Sequence, residues 1–311
     1  MTLIAERPLG APRAEAVMAR AATENFTVAS WLLPRRQRDH LLAIYGFARL
    51  VDELGDSLAG DRGAALDWLA AELDLAYEGH ATHPLLVRLQ PVLVQCALPR
   101  DPFLRLIEAN RVDQRTHRYR TWEQLRAYCA LSADPVGELV LEVFGLATPA
   151  RVALSDSICT ALQLAEHCQD VAEDLAAGRV YLPLEDLERF GVRVEDLHSA
   201  HVNAPLRELL AFEVARARAL LHEGIPLVAE LRGRLPACLP VPGRVRPSGC
   251  AREGVPFRVR LAVAGYVGGG EAALRAIEAA GYDVLAGAPS ASTALRLRCL
   301  AGTLRAASGR R

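Results

Sequence analysis

Helical periodicity is the feature that most limits what this chain can fold into. Apolar residues recur at helical spacing from about residue 14 to 235, and the alternation typical of strands is nearly absent. Proline and glycine interrupt the pattern at intervals that suit ordinary helices. These interruptions include Pro34, Gly60, Gly79, Pro84, Pro99, Pro102, Pro135, Pro149 and Gly178. The pattern predicts an all-α fold, a single-domain bundle of about ten helices around a central cavity, because such bundles build ligand sites from facing helices.

A proline-rich stretch interrupts the helical pattern near its end. Residues 236–256 contain five prolines and three glycines, which predicts a loop or disordered insert rather than a helix. We therefore expect one helical domain over residues 14–300, interrupted by this insert, with flexible ends at 1–13 and 301–311. The run Gly268–Gly270 has neither a preceding strand nor a following Lys-Ser/Thr, so it predicts a helix break rather than a phosphate loop.

The composition indicates a soluble globular protein and gives no support to nucleic-acid binding. Of the 311 residues 51% are hydrophobic, the formal net charge is −1, and all 36 basic residues are scattered arginines. No secretory signal and no apolar run of about 18 residues are present, which predicts a cytoplasmic protein. The cysteines form no CxxC pair, so neither a disulfide framework nor a zinc site is expected. Their positions are 96, 129, 159, 168, 238, 250 and 299.

Two acidic clusters stand more than a hundred residues apart in the helical pattern. Asp52 and Asp56 are four positions apart, and so are Asp170 and Asp174. On an α-helix residues i and i+4 lie about 5–6 Å apart on one face, so each pair can direct two carboxylates at one point. Mg²⁺ takes hard oxygen ligands, usually one or two carboxylates together with substrate phosphates. Two such helices facing each other predict a magnesium-dependent diphosphate site.

A solvated helix face is the simpler interpretation of either cluster alone. The flanking stretches 41–48 and 158–165 are nevertheless apolar nearly all round, which predicts that both helices are buried. A buried carboxylate needs a metal, a hydrogen bond or an opposite charge. Arg49 and Arg179 lie near the clusters and suit bidentate binding of phosphate.

These motifs resemble those of the squalene/phytoene synthases, which join or rearrange isoprenoid diphosphates head to head. Residues Tyr45–Asp56 are similar to the family's first signature, Tyr-x-x-x-Arg-x-x-Asp-x-x-x-Asp. Residues 162–164, 169–174 and 178–183 resemble the second signature, and residues 128–129 with 135–137 resemble the segment that lines the isoprenoid channel. The likeness covers about residues 17–235 and 258–300.

The resemblance implies roles for particular residues. The implied Mg²⁺ ligands are Asp52, Asp56, Asp170, Asp174 and Glu166, the last standing where most of the family has asparagine. The implied catalytic groups are the four aspartates with Arg49, Arg179 and Tyr45. The implied substrate-binding residues are Arg49, Gln163, Gln169, Arg179, Tyr181, Phe26 and Tyr128. Aromatic faces such as Tyr45, Phe26 and Tyr128 suit carbocations, although each is equally typical of an ordinary core residue.

Within the family, the segments 24–30 and 132–137 most resemble the hopanoid-pathway branch that makes hydroxysqualene. This likeness implies that presqualene diphosphate and water are the substrates. It also implies a presqualene diphosphate synthase before this step, a flavin-dependent reductase after it, and peripheral membrane contact for product release. The alternatives are a presqualene diphosphate, squalene or phytoene synthase, or a non-catalytic assembly protein of the same fold. Complete squalene synthesis needs a reduced nicotinamide, for which the sequence has no fingerprint.

Overall fold

The computed structural model describes residues 12–19, 33–231 and 255–309, and these contain helices but no strand. The α-helices are α1 (Ala14–Ala19), α2 (Arg35–Asp52), α3 (Arg62–Glu78), α4 (Pro84–Gln95), α5 (Asp101–Asp113), α6 (Trp122–Ser132), α7 (Asp134–Val143), α8 (Pro149–Gln169), α9 (Val171–Ala176), α10 (Leu184–Phe190), α11 (Ala204–Glu223), α12 (Ile225–Glu230), α13 (Val255–Ala279) and α14 (Thr293–Ala306). A π-helical segment occupies Glu53–Ser57 and a 3₁₀ segment Val194–His198. The predicted all-α class is confirmed, and the central cavity stays a prediction.

Local sequence signals explain many of the helix boundaries. Asp61 caps α3 by accepting a hydrogen bond from the Ala64 amide at 2.9 Å, which satisfies one of the four free amides at a helix start. The same helix ends at Gly79, whose φ of +88° is favoured by glycine. Pro84 and Pro149 open α4 and α8, where a missing amide hydrogen costs little.

The described residues fall into two compact units. The first consists of those within Met1–Arg115, Pro135–Val152 and Leu231–Val259, and the second of those within Thr116–Asp134, Ala153–Glu230 and Arg260–Arg311. The single domain predicted for residues 14–300 stays a prediction.

In the first unit α2 lies against α1, α4, α5 and the π-helical segment. Phe47 of α2 meets Phe103 of α5 edge to face, with ring centroids 5.0 Å apart, and both rings are fully buried. Large apolar side chains dominate this core, so burial of apolar area is its main stabilising term. The π-helical segment also contacts α3, and this packing holds the first acidic cluster.

The second unit contains two buried carboxylate networks. Arg216 on α11 donates hydrogen bonds to Asp186 and to both oxygens of Glu213, each at 2.8 Å, while its guanidinium lies over the Trp122 ring. Both carboxylates are almost fully buried, and burial raises the pKa of Glu213 to about 8. Removing Arg216 would leave two acidic groups without their cation, which is strongly destabilising.

The second network is centred on Asp134, at the first residue of α7. This carboxylate accepts hydrogen bonds from Arg126 on α6 and from Thr160 on α8, both at 2.8 Å. It is 2% exposed, so the pairing offsets its cost of burial.

The glycine run at Gly268–Gly270 does not break the helix, and the prediction of a break there is wrong. It lies inside α13, and an added Cβ at Gly268 would come within 2.7 Å of the Leu300 backbone on α14. At Gly270 an added Cβ would approach the Leu162 side chain on α8 at 2.6 Å. Close packing of helices therefore requires these glycines and outweighs their lower helix propensity.

Two other boundaries differ slightly from expectation. Helix α14 continues to Ala306, six residues beyond the predicted domain end at 300, because Ala307 and Thr303 are buried and hold its last turn. The insert at 236–256 lies outside the described residues except for its last two, which begin α13. Among the helices described, none is long and apolar enough to span a bilayer.

Candidate active site

The first acidic cluster lies where α2 changes into the π-helical segment. Asp52 is the last residue of α2, and Asp56 belongs to the π turn at Glu53–Ser57. The regular α-helix expected across both aspartates is therefore wrong in its second half. A π turn widens the helix and changes where a side chain four residues on points, and such turns are frequent at functional sites.

Helix α5 supports this turn through contacts that the sequence did not reveal. The Gln114 side-chain amide, just after α5, donates to the Gly55 carbonyl at 2.9 Å and to the Asn110 carbonyl at 3.0 Å. Gly55 packs so closely that an added Cβ would lie 2.0 Å from Asn110 Oδ1. Asn110 also directs its amide at Asp52 Oδ1, 3.5 Å away. The only sequence signal was a glycine inside a helical pattern, which marks a close approach.

Arg49 neutralises part of the negative charge of the first cluster. Its guanidinium lies 3.7 Å from Asp52 Oδ2 and 3.1 Å from Glu53 Oε1. Tyr45 lies one turn earlier on α2 and is half-buried. Asp52 is also half-buried, whereas Asp56 is exposed, so the prediction that the carboxylates are buried fails for Asp56. Its position within the π turn takes it off the apolar face of α2.

The second cluster lies at the break between α8 and α9. Asp170 has φ −101° and ψ 18°, the bridge region where many active-site residues are found. Backbone hydrogen bonds still connect Asp170 to Glu166 at 2.9 Å and Asp174 to Asp170 at 2.8 Å. The i, i+4 hydrogen-bond spacing therefore survives the break. Glu166, expected beside these aspartates, is solvent-exposed.

The second cluster concentrates negative charge. Burial raises the pKa of Asp170, and the Glu173 carboxylate adds to the shift. Burial also raises the pKa of Asp174 to about 7, with Asp170 as the next cause and Arg179 acting in the opposite direction. Carboxylates that raise each other's pKa are stabilised as anions by an added cation, so the donor set fits a hard metal ion.

Arg179 follows Asp174 through a tight turn. Its backbone amide donates to the Asp174 carbonyl at 2.8 Å, and Gly178 before it has φ +80°. Since glycine tolerates this conformation, it lets the chain reverse and brings the Arg179 charge close enough to Asp174 to lower its pKa.

The two glutamines with predicted substrate roles have protein partners. Gln163 lies 3.0 Å from His167 Nε2, and the Gln169 amide donates to the Pro289 carbonyl. Tyr181 stacks on His167 and also on Tyr128, with centroids 5.7 Å apart for the tyrosine pair. Phe26 lies outside the described residues. Sequence reasoning missed His167, because nothing in the pattern distinguishes it from a core residue.

Side chains in the described ranges do not by themselves form a group of three or more His, Cys, Asp or Glu that could hold a metal ion. The identity of the metal and its ligands accordingly stay predictions.

Comparisons with known proteins fit this architecture. Residues 19–298 match the squalene/phytoene synthase family. Hydroxysqualene synthase from Rhodopseudomonas palustris is 37% identical over 211 residues, covering 67% of this chain and 72% of that protein. The corresponding protein from Sinorhizobium fredii is 36% identical over 213 residues, with the same shares covered.

Solved structures give the same result. The crystal structure of squalene synthase HpnC from Alicyclobacillus acidocaldarius is 45% identical, covers 86% of this chain and 94% of that chain, and has a TM-score of 0.75. A dehydrosqualene synthase in complex with ligand has a TM-score of 0.76 at 22% identity and covers 93% of this chain and 94% of its own, which shows the fold alone.

The helical fold is that of a class I isoprenoid synthase, a class that generally uses a divalent metal. The chain belongs to the squalene/phytoene synthase family, and it is an isoprenoid diphosphate synthase of the head-to-head type. The family resemblance of the sequence motifs is thereby confirmed.

Proposed function

We propose that this enzyme converts presqualene diphosphate and water into hydroxysqualene and diphosphate in a magnesium-dependent reaction. The observation that carries the proposal is the similarity to three proteins named hydroxysqualene synthase, at 37%, 36% and 33% identity, in a chain that keeps both aspartate clusters. The raised pKa values of Asp170 and Asp174 support the metal-dependent part, because they mark a site that gains from a bound cation.

In this proposal the aspartates hold the metal ions that bind the substrate diphosphate. The proposed ligands are Asp52, Asp56, Asp170, Asp174 and Glu166. Bound Mg²⁺ would neutralise negative charge as the diphosphate leaves, a contribution of several kcal/mol. One or two carboxylates per ion suffice when phosphate oxygens complete the shell.

The chain's own cations assist departure of the diphosphate. Arg49 and Arg179 would meet the phosphate oxygens, and a guanidinium can do so with two parallel hydrogen bonds. Arg49 is partly neutralised by Asp52 and Glu53, so metal binding to Asp52 would release it toward the phosphate. Each such fixed charge acts where negative charge develops.

The reaction balances without an external oxidant or reductant. The C–O bond to the diphosphate breaks and its electron pair leaves with the diphosphate, after which the cyclopropylcarbinyl cation rearranges. A water oxygen then bonds to the resulting carbocation, and the water proton passes to diphosphate or solvent.

Tyr45, Tyr128 and Tyr181 offer ring faces to the passing positive charge, an attraction of about 0.5–2 kcal/mol each. Gln163 and Gln169 would act on the substrate indirectly. Gln163 would do so through His167, and Gln169 through the Pro289 carbonyl.

A phytoene synthase from Arthrospira platensis is 32% identical over 222 residues, so a sibling condensation is the second candidate. The discriminating experiment is gas chromatography–mass spectrometry of products from purified protein given presqualene diphosphate and Mg²⁺. Hydroxysqualene, unchanged by added reduced nicotinamide, is the expected product. Squalene that appears only with the nicotinamide would assign squalene synthase, and condensation of farnesyl or geranylgeranyl diphosphate would assign a sibling enzyme. No turnover of any of these would favour an assembly protein.

We further propose peripheral contact with the inner face of the membrane, since substrate and product are long hydrocarbons. The partners would be the enzyme that makes presqualene diphosphate and a flavin-dependent reductase that consumes the alcohol. Co-sedimentation of the purified protein with anionic vesicles tests the first point, and recovery of the protein only in the supernatant would contradict it.

A further inference from the structure

His167 is a buried side chain in the last turn of α8, close to the second acidic cluster. It lies one turn after Gln163 and one turn before Asp170, and only 5% of it is exposed. Burial lowers its pKa to about 3, so the imidazole is neutral at physiological pH. Neither of the sequence signatures includes it.

The imidazole stacks on an aromatic group of the same unit. The His167 and Tyr181 rings are nearly parallel, with centroids 4.0 Å apart and planes at 5°. Tyr181 in turn stacks on Tyr119 and Tyr128 at 5.9 and 5.7 Å. These four side chains form one buried aromatic cluster, which we call the tyrosine–histidine cluster.

Backbone hydrogen bonds fix the tyrosine side of this cluster. The Val180 amide donates to the His117 carbonyl at 2.8 Å, and the Leu184 amide donates to the Tyr119 carbonyl at 2.9 Å. The segments that carry Tyr119 and Tyr181 are therefore held together independently of α8. His167 supplies the ring contact from α8 to this pair.

Of the two ring nitrogens, Nε2 restricts the imidazole. Nε2 lies 3.0 Å from the Gln163 side-chain nitrogen, a contact that limits rotation of the ring. Nδ1 is buried and has no hydrogen-bond partner among the described residues. A residue that served only to fill this space would have no reason to carry polar nitrogens, because a buried unsatisfied nitrogen lowers stability.

We propose that His167 is a positioning residue that fixes the plane of Tyr181 relative to Asp170. This inference rests on the proposed function, in which Asp170 would hold a metal ion that binds the diphosphate and Tyr181 faces the hydrocarbon. His167 ties the two together, since it lies in the last turn of α8, three residues before Asp170, and stacks on Tyr181. A displacement of about 1 Å in such a support can cost on the order of a hundredfold in rate.

Loss of the stacked ring should therefore impair turnover and product choice more than binding of diphosphate. A carbocation that is poorly placed loses a proton or is captured by water at a different carbon. His167→Ala should lower kcat by at least about tenfold and yield additional hydrocarbon products, with KM changed by less than about threefold. His167→Phe keeps a stacked ring and should stay within about threefold of wild type.

The test compares His167→Ala, His167→Phe and His167→Gln with His198→Ala, a control at an exposed histidine of the same unit. Three readouts are needed: kcat and KM, the product ratio by gas chromatography–mass spectrometry, and binding of inorganic diphosphate with Mg²⁺ by calorimetry. The substrate is whichever of presqualene or farnesyl diphosphate the wild-type protein consumes. A wrong assignment of the product can thereby be distinguished from a wrong assignment of the role of His167.

Rescue by phenylalanine but not by alanine or glutamine, with diphosphate binding unchanged, is the expected result. Equal impairment of the phenylalanine and alanine variants would overturn the stacking role. Wild-type kcat and products in His167→Ala would overturn it as well. A loss of diphosphate binding in parallel with the loss of kcat would show a general structural role instead.

Discussion

The close contact between Gly55 and Asn110 gives a prediction whose size can be worked out. In Gly55→Ala the new methyl group would lie 2.0 Å from Asn110 Oδ1, 2.8 Å from its Cγ and 3.1 Å from its Cβ. The Asn110 amide must therefore move. Its contacts with Asp52 at 3.5 Å and with the Leu106 carbonyl at 3.4 Å would be lost.

Three terms set the magnitude. Overpacking of a filled site costs about 1–3 kcal/mol. Loss of the Asn110 hydrogen bonds adds about 0.5 kcal/mol, the low end of the usual range, because both are long. Replacing glycine by alanine inside a helix returns about 0.5–1 kcal/mol. Together these terms lead us to expect that Gly55→Ala lowers the free energy of unfolding by about 0.5–3 kcal/mol.

Urea unfolding followed by circular dichroism measures this effect. Asn110→Ala removes the clashing amide, so the double variant Gly55→Ala/Asn110→Ala should recover at least about 1 kcal/mol relative to the sum of the single changes. Gly265→Ala on α13 is the matched control, because an added Cβ there meets nothing within 4 Å. It should be neutral or slightly stabilising. A neutral Gly55→Ala, or strictly additive changes, would refute the proposed contact.

Four other changes test the account. Asp52→Ala or Asp170→Ala should each lower turnover on the order of a hundredfold or more, and near-wild-type turnover by both would overturn the metal assignment. The pKa of Asp174 is about 7, so below that pH a binding metal ion must displace its proton. Calorimetry should therefore show that Mg²⁺ binds about tenfold more weakly at pH 6 than at pH 8. The variant Asp174→Asn should remove this pH dependence. Without metal, the contribution of Asp174 to the free energy of unfolding falls as the pH rises from about 4 to 7, because its pKa is raised in the folded protein. Arg216→Met should lower the free energy of unfolding by about 3 kcal/mol or more, and a wild-type urea midpoint would contradict the buried network. Deletion of 236–256 should leave a soluble, cooperatively melting protein, since doubling a loop's length costs only about 0.6 kcal/mol.

Local signals predicted much of the fold. Periodicity predicted the helical class, and Gly79, Pro84 and Pro149 marked boundaries that the structure confirms. The prediction failed at Gly268–Gly270, where glycine serves close helix packing rather than a turn. A local pattern cannot distinguish these two uses, because the distinction lies in residues distant along the chain.

The sequence predicted the charged residues of the candidate site, but it did not predict the residues that hold the site in place. Asp52 and Asp170 could be recognised from spacing and apolar flanks. The π turn, by contrast, is braced by Gln114, 59 positions from Gly55, and the stacking partner of Tyr181, which lies between α9 and α10, is His167 on α8. Neither contact has a periodic signature, so tertiary packing alone reveals it. The exposure of Asp56 has the same origin, since it follows from the change of helix type.

The central claim is that the enzyme breaks the carbon–oxygen bond of an isoprenoid diphosphate and captures the carbocation with water. Turnover of presqualene diphosphate with Mg²⁺ in ¹⁸O-labelled water tests this claim most directly. The account predicts one ¹⁸O atom in the hydroxysqualene product and none in the released diphosphate. Label in the diphosphate, with an unlabelled alcohol, would mean cleavage at phosphorus and would contradict the account.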